Sequence, residues 1–128
     1  MAEPILLRHD EAAIATLTLN APDRFNALSD AMLAALSDQI ARLRADPSVR
    51  VVILQGTGKA FCAGHDLREM QAGRQASDQG RSYFKGLFDR CAAMMQSLQS
   101  LPQPVIAQVH GIATAAGCQL VASCDLAV

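Results

Sequence analysis

The stretch VVILQGTGKAFCAGHDL, residues 51–67, combines a strand signal, a turn signal and a loop of small residues. Residues 51–54 are all aliphatic and mostly β-branched, which predicts a short strand covered on both faces. Gly56-Thr57-Gly58 predicts a turn, and residues 60–64 lead into a loop before Asp66. The stretch therefore predicts a strand followed by a loop whose backbone is open to close approach.

The residues before this stretch predict a hairpin, a loop and a helix. Residues 5–9 and 14–19 flank the polar pair Asp10-Glu11, and the second run alternates apolar residues with Thr or Ala. This pattern predicts a β-hairpin that turns at Asp10-Glu11. Residues 20–26 predict an ordered loop, and Ser29 is a plausible N-cap for a helix that ends before Asp46-Pro47.

The residues after the stretch begin with a polar segment and continue with a helix. Residues 71–80 are rich in Gly, Ser and Gln, which predicts a mobile segment. Apolar residues three and four apart predict an amphipathic helix over about residues 83–98. Within it, Met94 and Met95 are expected to fill the core rather than form a binding surface.

The last part of the chain predicts two strands separated by a tight turn and a short helix. Residues 105–109 form a buried-type strand, and residues 110–117 form a turn of small residues before a helix at about 118–123. Residues 125–128 begin a further buried strand with nothing after it to cover it. The element order predicts one α/β domain with right-handed crossovers, of which residues 1–128 are the N-terminal part, with no second domain.

Composition favours a small-molecule or protein partner over nucleic acid or membrane. The chain has 128 residues, a formal net charge of -1 and 51% hydrophobic residues, so it can bury one core but presents no basic stripe. It shows no apolar run of membrane-spanning length and no leader pattern. These features predict a soluble cytoplasmic protein; a mitochondrial matrix location is the alternative if a targeting peptide has been removed.

Two loops rich in small residues, 61–67 and 111–120, allow a backbone N–H to reach a substrate oxygen. Together with residues 20–28 they resemble three ordered motifs of the crotonase family, which contains enoyl-CoA hydratases and isomerases. The resemblance runs from about residue 5 to residue 128. It implies a crotonase-like spiral of ββα units that is incomplete at the C-terminal end, and a homotrimer or dimer of trimers for the complete domain.

The resemblance also implies an oxyanion hole made of two main-chain N–H groups, those of His65 and Ala116. Each donor of this kind contributes roughly 3 kcal/mol when negative charge develops on a thioester oxygen. Because the donors are backbone groups, the side chains at these positions can differ from the family pattern. The implied substrate is a coenzyme A thioester, with no tightly bound cofactor.

A CoA-binding group of residues follows from the same resemblance: Arg24, Phe25, Ala27, Ala63, Asp66 and Arg68. Arg24 and Arg68 are expected near the phosphates, because a guanidinium can bind phosphate through two hydrogen bonds. The simplest role for Asp66 is to cap the helix that follows it. A solvated surface arginine is the alternative for both cations.

Gln119 departs from the family pattern, since hydratases resembling this chain have glutamate there and a second glutamate about twenty residues further on. Glutamine can orient water but cannot accept a proton at neutral pH. The expected function is therefore an acyl-CoA-binding lyase or isomerase of fatty acid metabolism whose hydratase activity is in doubt. The alternatives are a catalytically degenerate acyl-CoA-binding protein and a fragment without a function of its own.

Other side chains suggest weaker hypotheses. The imidazole of His65 could act as a general base. Residues 62–65 have a C-x-x-H spacing, but Cys118 and Cys124 do not form the matching close pair typical of zinc sites. No base adjacent to a cysteine is evident, so the four thiols are expected to be reduced and structural, and no metal site is predicted.

Overall fold

The computed structural model describes residues 3–128. The helices are α1 (Asp30–Arg44), α2 (Leu67–Gly73), α3 (Arg81–Gln99) and α4 (Ala116–Ala122), with a short 3-10 turn at Pro22–Arg24. The strands are β1 (Leu6–Glu11), β2 (Ile14–Leu19), β3 (Val51–Gly56), β4 (Ala60–Cys62), β5 (Val105–Ala107), β6 (Ile112–Ala113) and β7 (Leu126–Ala127). The predicted mixture of helices and strands in an α/β fold is confirmed.

The strands form two sheets. The larger has the order β1-β2-β3-β5-β7, in which only the β1–β2 pair is antiparallel. The smaller is the parallel pair β4–β6. Helix α1 connects β2 to β3, as a parallel pair requires a crossover between its strands.

The hairpin is confirmed, but its turn lies two residues later than the sequence predicts. Strand β1 continues through Glu11, and Ala12 and Ala13 form the turn with φ of 51° and 66°. Positive φ at both central positions is the requirement of a two-residue hairpin turn of type I′. Asp10 is paired with the guanidinium of Arg8 instead of forming the turn.

The core lies between one face of the larger sheet and the helices α1 and α3. Leu17, Leu19, Val52 and Leu54 are buried and belong to one cluster with the apolar residues of both helices, Met94 and Met95 included. The expectation that β3 is covered on both faces is wrong for the described residues, because residues 51 and 53 are only half-buried. An aliphatic run alone does not show which layers are present to cover it.

The C-terminal elements differ from the sequence-based expectations in detail. Residues 105–109 form a strand only as far as Ala107, and the predicted turn contains β6. Helix α4 begins at Ala116, two residues earlier than expected. β7 lies at the sheet edge and pairs only with β5. Leu126 is 61% exposed, which agrees with the prediction that nothing in the described residues covers this apolar strand.

Part of the polar segment 71–80 is regular structure. Helix α2 includes residues up to Gly73, and turns follow it. The carboxylate of Asp78 accepts hydrogen bonds from the N–H groups of Gly80 and Ser82 at 3.0 and 2.9 Å. This carboxylate thus satisfies N–H groups at the start of α3; the mobility of the segment stays a prediction.

Candidate functional site

The two small-residue loops lie side by side at the end of the smaller sheet. β4 and β6 pair in parallel, with Cys62 opposite Ala113, so the loops that follow them leave the same edge. A Cβ added at Gly64 would lie 3.2 Å from the backbone nitrogen of Ala116. A Cβ at Gly117 would overlap the carbonyl oxygen of Cys62. The absence of side chains at these two glycines is what lets the loops converge.

The N–H groups of His65 and Ala116 donate no hydrogen bond to any group in residues 3–128. The carbonyl of Gly64 accepts a hydrogen bond from the N–H of Leu28 at 2.7 Å. In a trans peptide the N–H points opposite to the carbonyl, so this bond directs the N–H of His65 away from Leu28. Ala116 opens α4, where the first N–H groups have no intrahelical acceptor.

A cavity of about 530 Å³ lies beside these loops. Its lining comprises Asp23, Arg24, Phe25, Ala27, Ala63, His65, Asp66, Leu67, Arg68, Met70 and Ala115. The structure thus brings together His65 and all of the residues predicted to bind CoA. Ala116 is next to the lining residue Ala115, whereas Gln119 is not part of the lining.

Both oxygens of the Asp66 carboxylate accept hydrogen bonds from protein groups. Its Oδ1 accepts from the N–H groups of Arg68 and Glu69 at 2.9 and 3.2 Å, which confirms the predicted helix cap. Its Oδ2 accepts from Nη1 of Arg24. Burial alone would raise the pKa of Asp66, but these N–H groups and the guanidinium outweigh it and hold that pKa below its ordinary value.

The two predicted phosphate ligands keep free donors at the cavity. The side chain of Arg24 is 50% exposed although one of its nitrogens binds Asp66. Arg68 is exposed, and its guanidinium has no hydrogen-bond acceptor within the described part of the chain. Both cations are therefore accessible to an anionic ligand.

The family model for enoyl-CoA hydratase/isomerase matches residues 9–128. The chain belongs to this family. The match includes all three loops that form the cavity, which agrees with the resemblance found in the sequence.

Individual relatives agree with this assignment. A solved enoyl-CoA hydratase from Mycobacterium smegmatis is 60% identical, with a TM-score of 0.91 over 98% of this chain and 47% of that chain. The mitochondrial enoyl-CoA hydratase domain-containing protein 3 of Xenopus laevis is 44% identical over 98% of this chain and 41% of its own length. The 1,2-epoxyphenylacetyl-CoA isomerase of Escherichia coli is 35% identical over 96% and 46%. The crotonase-like fold is confirmed, and the chain spans less than half the length of these relatives.

Asn26 lies between the cavity-lining residues Phe25 and Ala27, and its structural role was missed at the level of sequence. It is fully buried, has a φ of 53°, and accepts a hydrogen bond from the N–H of Ala21 at 2.8 Å. It also donates to the carbonyls of Thr57 and Ala60 at 2.8 and 3.0 Å. An asparagine in a loop is a signal of positive φ, and here it holds the first loop of this family member against the turn after β3.

Gln119 lies on the exposed side of α4. Its side-chain amide makes no hydrogen bond within residues 3–128, whereas its main-chain N–H donates to the carbonyl of Ala115 at 3.2 Å. The helical spacing places it one turn after Ala116, so it is near the site but does not line the cavity. Its role stays a prediction.

The imidazole of His65 packs edge-on against Phe88, with ring centroids 5.6 Å apart. Its Nδ1 is buried and has no hydrogen-bond partner among the described residues. A general base normally has a partner that orients it, so this geometry gives no support to the general-base hypothesis. His110, by contrast, is hydrogen-bonded through Nε2 to the carbonyl of Gly58 at 2.8 Å.

The cysteines lack the surroundings of a nucleophile. Burial raises the pKa of the Cys62 thiol to about 11, and it raises that of Cys124 to about 11 as well. In residues 3–128, no three His, Cys, Asp or Glu side chains come together as a metal site. None of the helices in that range combines the length and apolar character needed to cross a membrane.

Cys118 is the exposed thiol, whereas Cys62 and Cys91 are buried. We expect a thiol reagent at neutral pH to label Cys118 rapidly in the folded chain and to leave Cys62 unreacted, because reaction requires an accessible thiolate. Mass spectrometry of the labelled peptides measures this. The variant C118S should lose the rapid phase, and rapid labelling of Cys62 would contradict the burial described above.

Proposed function

We propose that the chain binds a coenzyme A thioester in the 530 Å³ cavity and stabilises its enolate oxygen with the N–H groups of His65 and Ala116. The observation that carries this proposal is that both amides lack acceptors in residues 3–128 and belong to converging loops. Two fixed donors stabilise an oxyanion without reorganising as charge develops. The bond from Leu28 to the Gly64 carbonyl supplies this rigidity for one of them.

The cavity also suits the CoA part of the ligand. Arg24 and Arg68 supply accessible guanidinium groups for phosphate, while Phe25, Ala27 and Ala63 supply apolar and backbone surface. The names of the relatives, an enoyl-CoA hydratase and a 1,2-epoxyphenylacetyl-CoA isomerase, support a CoA thioester as the ligand class. No tightly bound cofactor is part of the proposal.

For the whole protein we propose an acyl-CoA lyase or isomerase rather than an efficient hydratase. Gln119 cannot accept the proton that a glutamate accepts at this position. A catalytically degenerate acyl-CoA-binding protein is the second candidate, and the same glutamine favours it. A homotrimer or dimer of trimers in fatty acid metabolism stays a prediction, as does a cytoplasmic location; the mitochondrial name of the frog relative supports the mitochondrial alternative.

Titration calorimetry with two matched ligands tests the oxyanion hole. Butyryl-CoA and its thioether analogue S-butyl-CoA differ only in the carbonyl group. We expect butyryl-CoA to bind about tenfold more tightly, which corresponds to about 1.4 kcal/mol. Equal affinities would exclude a carbonyl bound by two N–H groups, and the absence of binding by both ligands would exclude the CoA site itself.

The reaction class is tested on the intact gene product with crotonyl-CoA, alongside Gln119→Glu. Hydration by the variant alone supports a degenerate site, and activity in neither supports a binding role. Efficient hydration by the unsubstituted protein would overturn the proposal that Gln119 restricts this reaction.

A further inference from the structure

One carboxylate joins the two loops that hold the predicted phosphate ligands. Oδ1 of Asp66 caps α2, while Oδ2 binds Arg24 from the other loop. One oxygen therefore stabilises the start of α2, and the other holds Arg24. The side chain is only 5% exposed, so it is poorly placed to touch a ligand itself.

The hydrogen bond to Asp66 restrains the side chain of Arg24. Its Nη1 is held by Asp66, yet half of the side chain remains exposed at the cavity. A free arginine side chain loses rotamer entropy when it binds a ligand, and a side chain already held in place loses less. Only Nη1 of Arg24 binds Asp66, so the other nitrogens of this guanidinium remain free for a phosphate.

We propose, on the basis of the proposed function, that Asp66 is a positioning residue that holds Arg24 ready for the phosphates of a CoA thioester. Asp66 acts through Arg24 and through α2, whose second residue is Arg68, and makes no contact with the ligand. This assigns the residue a different role from that of a direct CoA ligand.

Electrostatics alone makes the opposite prediction. A carboxylate near a phosphate repels it, so removal of the charge would tighten binding if Asp66 acted only through its charge. Positioning predicts weaker binding on removal, because Arg24 then becomes free to adopt other rotamers. The sign of the change therefore distinguishes the two explanations.

Asp66→Asn separates the cap from the ion pair. Asparagine caps helices as well as aspartate does, but its amide NH₂ would face the guanidinium of Arg24 in place of an oxygen. We expect calorimetry to show about tenfold weaker binding of butyryl-CoA and unchanged binding of S-butyryl-pantetheine, which lacks all phosphates. A purely structural defect would weaken both ligands equally and would overturn the inference.

Asp38→Asn is the matched control. Asp38 forms an exposed ion pair with Arg42 on α1 and does not line the cavity, so the same charge is removed and an Asp–Arg pair is lost away from the site. We expect unchanged butyryl-CoA binding in this variant. A loss equal to that of Asp66→Asn would mean that net charge, rather than the position of Arg24, determines affinity.

Arg24→Gln completes a double-mutant cycle and leaves the cap of α2 in place. It should by itself weaken butyryl-CoA binding about tenfold, and Asp66→Asn should cause no further loss in that background. Full additivity of the two losses in binding free energy would overturn the positioning role of Asp66 and leave the proposed function intact. Butyryl-CoA affinity in Asp66→Asn equal to or above that of the unsubstituted chain would have the same consequence. Failure of the unsubstituted chain to bind butyryl-CoA would overturn the proposed function as well.

Discussion

Replacement of Gly117 by alanine is expected to lower the free energy of unfolding by about 3 kcal/mol, the upper part of the range for overpacked interiors. The new Cβ would overlap the carbonyl oxygen of Cys62 and lie 2.7 Å from its carbonyl carbon. These are backbone atoms of β4, so they cannot move aside as a flexible side chain could. Urea denaturation measures the stability change.

The same substitution should abolish tight binding of butyryl-CoA. Gly117 follows Ala116, and separation of α4 from β4 moves the Ala116 N–H away from that of His65. Because oxyanion donors must lie at hydrogen-bonding distance from one oxygen, a displacement of about 1 Å is enough to lose one of them. Calorimetry on the folded fraction measures this.

Gly86→Ala is the matched control, since it adds the same methyl group inside α3. The added Cβ would meet only the end of the Arg90 side chain, at 3.0 Å. Alanine is a better helix former than glycine by about 1 kcal/mol, so this variant should be slightly more stable and bind normally. If both variants have the same stability, the close approach of α4 to β4 is not a constraint on the fold.

Asn26→Ala is the second substitution with a large expected effect, about 3 kcal/mol of lost stability. It would leave the N–H of Ala21 and the carbonyls of Thr57 and Ala60 without their present partner. Each buried polar group left unpaired costs about 1–3 kcal/mol. Alanine also tolerates positive φ less well than asparagine does. Thermal and urea unfolding measure the loss.

Two further variants test the reason for this effect. Asn26→Asp keeps the acceptor for Ala21 but turns a carboxylate oxygen toward two carbonyls, so it should destabilise the chain as strongly as alanine. Asn20→Ala removes exposed hydrogen bonds to Glu3 and Pro4 and a part-buried one from the hydroxyl of Thr57. Because that hydroxyl keeps the carbonyl of Leu19 as an acceptor, the loss should be under about 1 kcal/mol. A loss of stability in Asn20→Ala as large as that in Asn26→Ala would show that the buried hydrogen bonds of Asn26 contribute no more stability than those of Asn20.

Much of the fold follows from periodicity. The apolar spacing that ends at Asp46-Pro47 predicted α1, and that of residues 83–98 predicted α3, because a helix buried on one face needs apolar residues three and four apart. The turn after β1 did not follow, because alanine carries no turn signal and only the strand register requires its positive φ.

For the candidate site, the sequence by itself determined the family, through the order of three loop motifs, and the residue types that allow backbone donors to reach a ligand. Only the tertiary structure decided that Asp66 binds Arg24, that Asn26 joins its loop to the turn after β3, and that Gln119 lies outside the cavity. Local signals depend on side-chain size and periodicity along the chain. Contacts between residues distant in sequence depend on how the sheets and loops pack, and no local sequence pattern specifies which of these residues meet.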